Sequence, residues 1–198
     1  MYQLDELTVN DYLEKMAVCD FPGPAAGSAA ATTAAMAAAL MEMSCDGSLR
    51  KSNGNPLLEE SIKMGKTIRK RCQTLANVDM EAYGEVIKAA KQKGNDPEAY
   101  ELAMKNATEP FIEILRSCHD LLNQIEKIVG MSFSKVLGDL VGGTYLAEAA
   151  AAASKSGIEV NMVHIKDQAF KEMMLPEARL LYKQSNEAKE RILHHVFK

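Results

Sequence analysis

The sequence predicts an all-α protein, a compact bundle of about six helices, several of them long, built around one alanine-rich helix. Three observations predict it. Residues 25 to 43 are largely alanine, the best helix former and the one that lets neighbouring helices approach most closely. Apolar residues elsewhere recur at three and four residue spacing over long stretches. No segment alternates β-branched and polar residues in the manner of a half-buried strand.

Val9, Tyr12, Leu13, Met16 and Ala17 mark a short amphipathic opening helix with Thr8 as its N-cap, ending before Phe21-Pro22. The Pro22-Gly23-Pro24 turn leads into the alanine helix, which is expected to run to about Cys45. Asp46-Gly47-Ser48 and Ser52-Asn53-Gly54-Asn55 then read as loop. Pro56 starts a third helix that nothing interrupts before Gly94-Asn95-Asp96-Pro97, near 35 residues in all. From Pro97 a strong apolar stripe (Tyr100, Met104, Phe111, Ile114, Leu121, Ile125 among others) continues to Ile128. Pro110 is expected to kink that helix without ending it. A fifth helix, capped by Ser132 or Ser134, is expected to reach Ala153 and stop at Ser156-Gly157. The last spans about Val160 to Phe197 with a bend at Pro176. No 20 to 50 residue period repeats, so the fold is no solenoid.

The 198 residues, 47% hydrophobic, suffice for one domain with a sizeable core, taken as residues 1–198. A net charge of −4 gives no electrostatic reason to expect nucleic acid or an anionic membrane as partner. The alanine stretch is too weakly hydrophobic to be a membrane span. Cys19, Cys45, Cys72 and Cys118 form no Cys-x-x-Cys pair and follow no secretory leader, which predicts reduced thiols and a cytoplasmic location.

One residue departs from the helical pattern in a way that suggests chemistry. Ile68, Cys72, Leu75, Tyr83 and Val86 define an apolar face of the third helix, and Asp79 lies on it, four residues from Leu75 and four from Tyr83. Burial raises a carboxyl pKa and makes it an acid or base usable near neutral pH. A carboxylate satisfied by backbone donors or a lysine is the structural alternative. Asp139 shares a face with Gly142, Gly143 and Leu146, a pattern that leaves room either for a ligand or for close helix packing. At the start of the alanine helix, Ser28 and the free amides suit either an anionic or carbonyl group or ordinary capping.

Other signals point to nothing specific. Gly65-Lys66-Thr67 lacks the earlier glycine and the strand of a phosphate-binding loop. His119, His194 and His195 lack metal-ligand spacing, so no metal is expected. Lys63, Lys66, Arg69, Lys70 and Arg71 form a basic cluster that reads as a solvated face or as an anion-attracting patch.

Two stretches carry a family resemblance. Pro24, Gly27, Ser28, Ala29 and Ala30 match the Pro-Gly-Gly-Gly-Ser-Ala-Ala opening of the formiminotetrahydrofolate cyclodeaminase and methenyltetrahydrofolate cyclohydrolase family, with Ala25 and Ala26 in place of two glycines. Val78-Asp79-Met80-Glu81-Ala82-Tyr83 resembles a Val-Asp-Ala-Asp-Ala-Glu-Ala-Phe region whose second aspartate is catalytic. Asn106 to Pro110 and Gly138-Asp139 extend the resemblance, and Val160-Asn161-Met162-Val163-His164 is a divergent counterpart of an Asn-Val-x-Ile-Asn segment.

The resemblance implies a folate one-carbon enzyme with Asp79 as acid-base residue and Pro24, Gly27, Ser28, Asp139 and His164 in substrate binding. It implies either cyclodeamination of 5-formimino-tetrahydrofolate or hydrolysis of 5,10-methenyl-tetrahydrofolate, with the folate as substrate and no separate cofactor. The basic cluster would then meet a polyglutamate tail. At this length the chain has no room for the formiminotransferase domain of bifunctional members. A scaffold that keeps the fold but serves as a binding or interaction subunit is the rival, favoured by Ala25, Ala26, Val160 and His164. The Ala-rich and Gly-rich helices offer more close-packing surface than six helices use, which predicts a homodimer.

Overall fold

The computed structural model describes residues 3–52 and 54–198. Seven α-helices form among them: α1 (Val9–Met16), α2 (Ala26–Leu49), α3 (Pro56–Ala90), α4 (Pro97–Asn106), α5 (Glu109–Ile128), α6 (Leu137–Met162) and α7 (Gln168–Val196). Short 3-10 turns at Leu4–Glu6, Val129–Met131 and Ser134–Val136 join or precede them. The described residues contain no strand.

Local chemistry accounts for the helix starts. Thr8 accepts from the Asp11 amide at 3.1 Å, Asn55 from Leu57 and Leu58, Asp96 from Ala99 and Asp167 from Phe170. Pro56 and Pro97 occupy first turns, where their missing N–H removes no helical bond. The long third helix runs its expected 35 residues.

The alanine helix is the centre. α2 lies between α3 and α6 with α5 behind it, and Ala30, Ala31, Ala34, Ala35, Ala37 and Ala38 are buried. Glycines on both neighbours explain why alanine is needed. A Cβ on Gly65 of α3 would stand 3.4 Å from the Ala38 carbonyl, and one on Gly143 of α6 would stand 3.2 Å from the Ala37 carbonyl. Backbone therefore meets backbone on both sides of α2. The contacts also fix direction: Gly65 faces Ala38 while Asp79 faces Gly27, and Val136 faces Gly47 while Gly143 faces Ala37, so both neighbours run antiparallel to α2. α5 supplies the bulk that alanine lacks, through Ile112, Ile114, Leu115, Leu121, Leu122, Ile125 and Ile128, all fully buried.

Four boundaries differ from the sequence expectation. α2 passes through Asp46-Gly47-Ser48 to Leu49, because Gly47 is a packing position under Val136 rather than a turn. The segment from Pro97 breaks into two helices at Ala107-Thr108, and Pro110 sits in the first turn of the second, where it is tolerated without a kink. Asn161 of α6 donates to the Ala107 carbonyl and to Thr108 Oγ1, both at 3.3 Å, and so satisfies groups that the break exposes. α6 continues past Ser156-Gly157 to Met162, and α7 starts only at Gln168.

Gly157 shows why that helix does not stop: a Cβ there would lie 2.4 Å from Phe111 Cε1. The glycine is kept for the aromatic ring, and its helical cost is offset by burial of Phe111. Gly157→Ala gains about 1 kcal/mol of helix propensity but must displace the ring. We expect a net loss of about 1 to 3 kcal/mol in urea unfolding; an unchanged or higher midpoint would show that Phe111 yields freely.

Candidate active site

The N-terminal end of α2 meets α3 at a buried carboxylate. Asp79 is 7% exposed, and the face of α3 that carries it packs on Gly27 and Ser28. Ser28 Oγ donates to Asp79 Oδ2 at 2.9 Å and is also 3.1 Å from the Ala76 carbonyl, one turn earlier on α3. The Ser28 amide is a second donor to the carboxylate. No ion pair among the described residues reaches Asp79. Burial pushes its pKa above the usual carboxylate range, and the hydroxyl and amide of Ser28 oppose that rise without cancelling it.

Gly27 is essential to this geometry. A Cβ on it would stand 2.0 Å from Asp79 Oδ1 and 2.4 Å from Cγ, so any side chain at 27 would occupy the carboxylate's place. The neighbouring alanines have no such conflict. Ala25 is extended (φ −139°), a conformation open to every residue, and Ala26 faces outward. The two positions where glycines of the family motif are replaced are thus ones where a methyl group fits.

Beside the carboxylate, α1 and the segment before it cover the α2/α3 groove. The Leu4 amide donates to Asn77 Oδ1 at 2.7 Å, and Tyr12 of α1 bonds Thr32 of α2 at 3.1 Å. Thr32 in turn donates to the Ser28 carbonyl at 2.9 Å. Since that bond uses the only Thr32 hydroxyl hydrogen, Tyr12 is the donor in the Tyr12–Thr32 pair. Burial is the main influence that raises the Tyr12 pKa, and the charge of Asp79 adds to it, which places the phenol within electrostatic reach of the carboxylate.

A cleft of about 320 Å³ follows the groove, lined by Leu4, Leu7, Tyr12, Thr32, Met36 and Ala76, with Gln73 and Arg69 further along α3. Its volume and apolar walls suit a small organic ligand. Arg69 forms a paired contact with Glu42 at 2.7 and 3.2 Å and also borders a second cleft with Lys66. The basic cluster otherwise disperses: Arg71 pairs with Glu113 of α5, and Lys63 and Lys70 are exposed.

The sequence-predicted site residues divide into two groups. Gly27, Ser28 and Asp79 come together, and Pro24 is buried in the connection just before them. Asp139 and His164 do not join them within one chain. Asp139 is exposed one turn before Gly143, at the level of the second half of α2, roughly 20 Å along the bundle from Gly27 at 1.5 Å per residue. His164 is exposed beyond the end of α6, its ring edge-on to Tyr100 at 6.5 Å. Tyr12, Thr32 and Gln73 were not singled out from sequence. Tyr12 reads there as one more apolar residue of an amphipathic helix, and only its hydroxyl hints otherwise. Among the described residues no cluster of His, Cys, Asp or Glu is arranged to hold a metal ion.

The chain is similar to known proteins over nearly its whole length. The family model described as Formiminotransferase-cyclodeaminase matches residues 8–180. A methenyltetrahydrofolate cyclohydrolase from Methylorubrum extorquens is 26% identical over 199 residues, covering 96% of this chain and 95% of the relative. The crystal structure of formiminotetrahydrofolate cyclodeaminase from Thermotoga maritima superimposes with a TM-score of 0.89 at 25% identity, over 96% of this chain and 95% of that one.

The raised pKa has a consequence for stability. A carboxyl whose folded pKa exceeds its unfolded value binds its proton more tightly in the folded state. Its contribution is therefore fully present below the unfolded pKa and is lost as pH rises through the folded one. Ionised Asp79 thus weakens the fold at neutral pH. Asp79→Asn, neutral at every pH, should remain folded and unfold at higher urea than the wild type at pH 7, with the difference shrinking toward pH 4. A variant destabilised at pH 7 would mean that a buried cation depends on Asp79.

Proposed function

The chain belongs to the formiminotransferase-cyclodeaminase family, and we propose on that footing that it acts on the one-carbon unit bridging N5 and N10 of a reduced folate. One observation carries the reading: the carboxylate that the family motif marks as catalytic is buried, free of any ion pair among the described residues, and one helical turn from Ala76, which lines a cleft of ligand size. Its hydrogen-bond partners are the hydroxyl and amide of Ser28, neither of which neutralises its charge.

Two reactions fit the site. In cyclodeamination, N10 attacks the formimino carbon and ammonia leaves; in hydrolysis, water adds to the methenyl carbon and one C–N bond opens. Each needs a base to take a proton from the attacking nitrogen or water, and then an acid to return it to the departing nitrogen. A single carboxylate with a raised pKa serves both roles in turn. While ionised, it also stabilises the cationic amidine-like carbon that both reactions share, an interaction strengthened by the low-dielectric surroundings. The apolar walls from Leu4 to Met36 would hold the flat body of the ligand. Arg69 borders both this cleft and the second one, which Lys66 lines and into which a glutamate or polyglutamate tail would extend. The folate is the substrate in this reading, and no further cofactor takes part. Four unpaired cysteines, three of them buried, support a cytoplasmic setting.

The test is turnover and binding with 5-formimino- and 5,10-methenyl-tetrahydrofolate, each with one glutamate and with several. We expect one of the two to be consumed, tighter binding of the long-tailed form at low salt, and loss of about 10²- to 10⁴-fold in turnover with Asp79→Asn. Wild-type turnover in that variant would remove Asp79 from the mechanism. Binding without turnover in the wild type would favour the binding-subunit alternative.

We further propose a homodimer. No charged residue occurs in α2 from Ala26 to Met41, and its outer side shows Met36, 48% exposed. On the adjoining α6, Tyr145 is 50% exposed at about the level of Met36. A second copy with C2 symmetry would cover this uncharged face, and would offer Asp139 a route to a neighbouring site that one chain lacks. Sedimentation at micromolar concentration should show a dimer, with Met36→Arg shifting it toward monomer; a monomeric wild type refutes the pairing.

A further inference from the structure

We propose that Ser28 is a two-position switch for Asp79: its hydroxyl donates to the carboxylate while Asp79 is ionised and turns to the Ala76 carbonyl when Asp79 takes up a proton. The inference rests on the reading of Asp79 as the proton-transferring group and assigns Ser28 a positioning role in place of direct substrate contact.

The hydrogen-bond inventory leads to it. Ser28 Oγ carries one hydrogen and has two acceptors within reach, Asp79 Oδ2 at 2.9 Å and the Ala76 carbonyl at 3.1 Å. Ser28 is fully buried, so neither contact is exchanged for bulk water. A helical carbonyl has two lone pairs and accepts a hydroxyl in addition to its ladder bond. With Asp79 ionised, the charged acceptor is stronger and takes the hydrogen. Once Asp79 is protonated, Oδ2 becomes a donor. The bond reverses: Asp79 O–H donates to Ser28 Oγ, and Ser28 donates onward to Ala76. All three groups are satisfied in both states. The proton that Asp79 accepts stays on Asp79, and Ser28 keeps its own, so Ser28 relays nothing.

The arrangement answers a specific difficulty. A buried acid that changes charge in each cycle would ordinarily leave an orphaned donor or acceptor in one of its two states, and so favour the other state. A hydroxyl with a second acceptor 3.1 Å away removes that bias and keeps the two protonation states close in energy. Other groups around Asp79 do not offer this exchange. On α2, Gly27 presents no side chain and Thr32 is committed to the Ser28 carbonyl. On α1, Tyr12 donates to Thr32 and is coupled to Asp79 by charge, while Asp11, Glu14 and Lys15 line a separate cleft with Asp20.

Two measurements on Ser28→Ala, both made without substrate, test the switch independently of folate turnover. The first is the carboxyl ¹³C titration of Asp79. Ser28→Ala removes a donor to the charged form and an acceptor from the acid; the bond to the ionised group is the stronger, so the midpoint should move upward, by about half a pH unit. An unmoved midpoint together with an unchanged acid band, the second measurement, means that Ser28 serves Ala76 alone and overturns the proposal. The second is the infrared carboxylic-acid band of protonated Asp79, identified by its disappearance in Asp79→Asn. Without Ser28 as acceptor for its O–H, that band should shift. A raised midpoint with an unchanged band would show one-way donation, and would equally overturn the switch.

Discussion

Backbone-to-backbone approach of α2 to its two neighbours is the constraint on which the remaining structure depends. Glycines at 65 and 143 press against the carbonyls of Ala38 and Ala37, and this leaves α2 with almost no side chain that is free to vary. Alanine contributes little apolar area, so the bulk of the hydrophobic stabilisation has to come from elsewhere. The aliphatic row on α5 supplies it, fully buried between the elements that flank α2. A small-residue post and a large-residue helix behind it are complementary parts of one core. Interior packing at this density transmits the size of each group to its neighbours.

That close approach creates the site as well as the core. Where α3 crosses the start of α2, Gly27 leaves a space the size of a carboxylate, and Asp79 fills it. The acid is buried because the helices are close, and its raised pKa follows from that burial. A more conventional contact, with a larger residue at 27 and an apolar one at 79, would give a more stable pair of helices and no buried acid. Sites that hold a destabilised group of this kind draw on stability supplied by the rest of the fold. Here the fixed neighbours are the Ser28 hydroxyl and amide, both carried by the first turn of the same rigid helix.

Much of this was legible in the sequence, for reasons that differ between elements. Helix starts were visible because Thr8, Asn55-Pro56 and Asp96-Pro97 carry their own capping chemistry, and a local cause leaves a local signal. Asp79 was visible because helical phase alone places it on the apolar face. The misplaced ends share one physical reason. Gly47 and Gly157 have the composition of helix stops, yet each is kept small by a residue distant in sequence, Val136 and Phe111 respectively. Pro110 likewise reads as an interior kink until Asn161, some fifty residues later, is seen to satisfy the break that precedes it. Tertiary contacts overrode local preference at each of these positions, and no window of sequence contains both partners. Asp139 and His164 were legible as family positions but not as places: resemblance names a residue without saying where one chain puts it.

The same distinction bears on Ala25 and Ala26, the most conspicuous departures from the family motif. Glycine is required in a turn either for a backbone angle that other residues avoid or for the space a Cβ would fill. Ala25 is extended and Ala26 faces outward, so neither requirement holds there, whereas the second holds without exception at Gly27, where a Cβ would stand 2.0 Å from Asp79. A run of three glycines therefore contains one that the placement of the carboxylate depends on. The chain retains that one and replaces the others with the residue that best extends the helix. Departure from a motif thus carries different weight at adjacent positions, and here the pattern of substitution follows the geometry of the carboxylate.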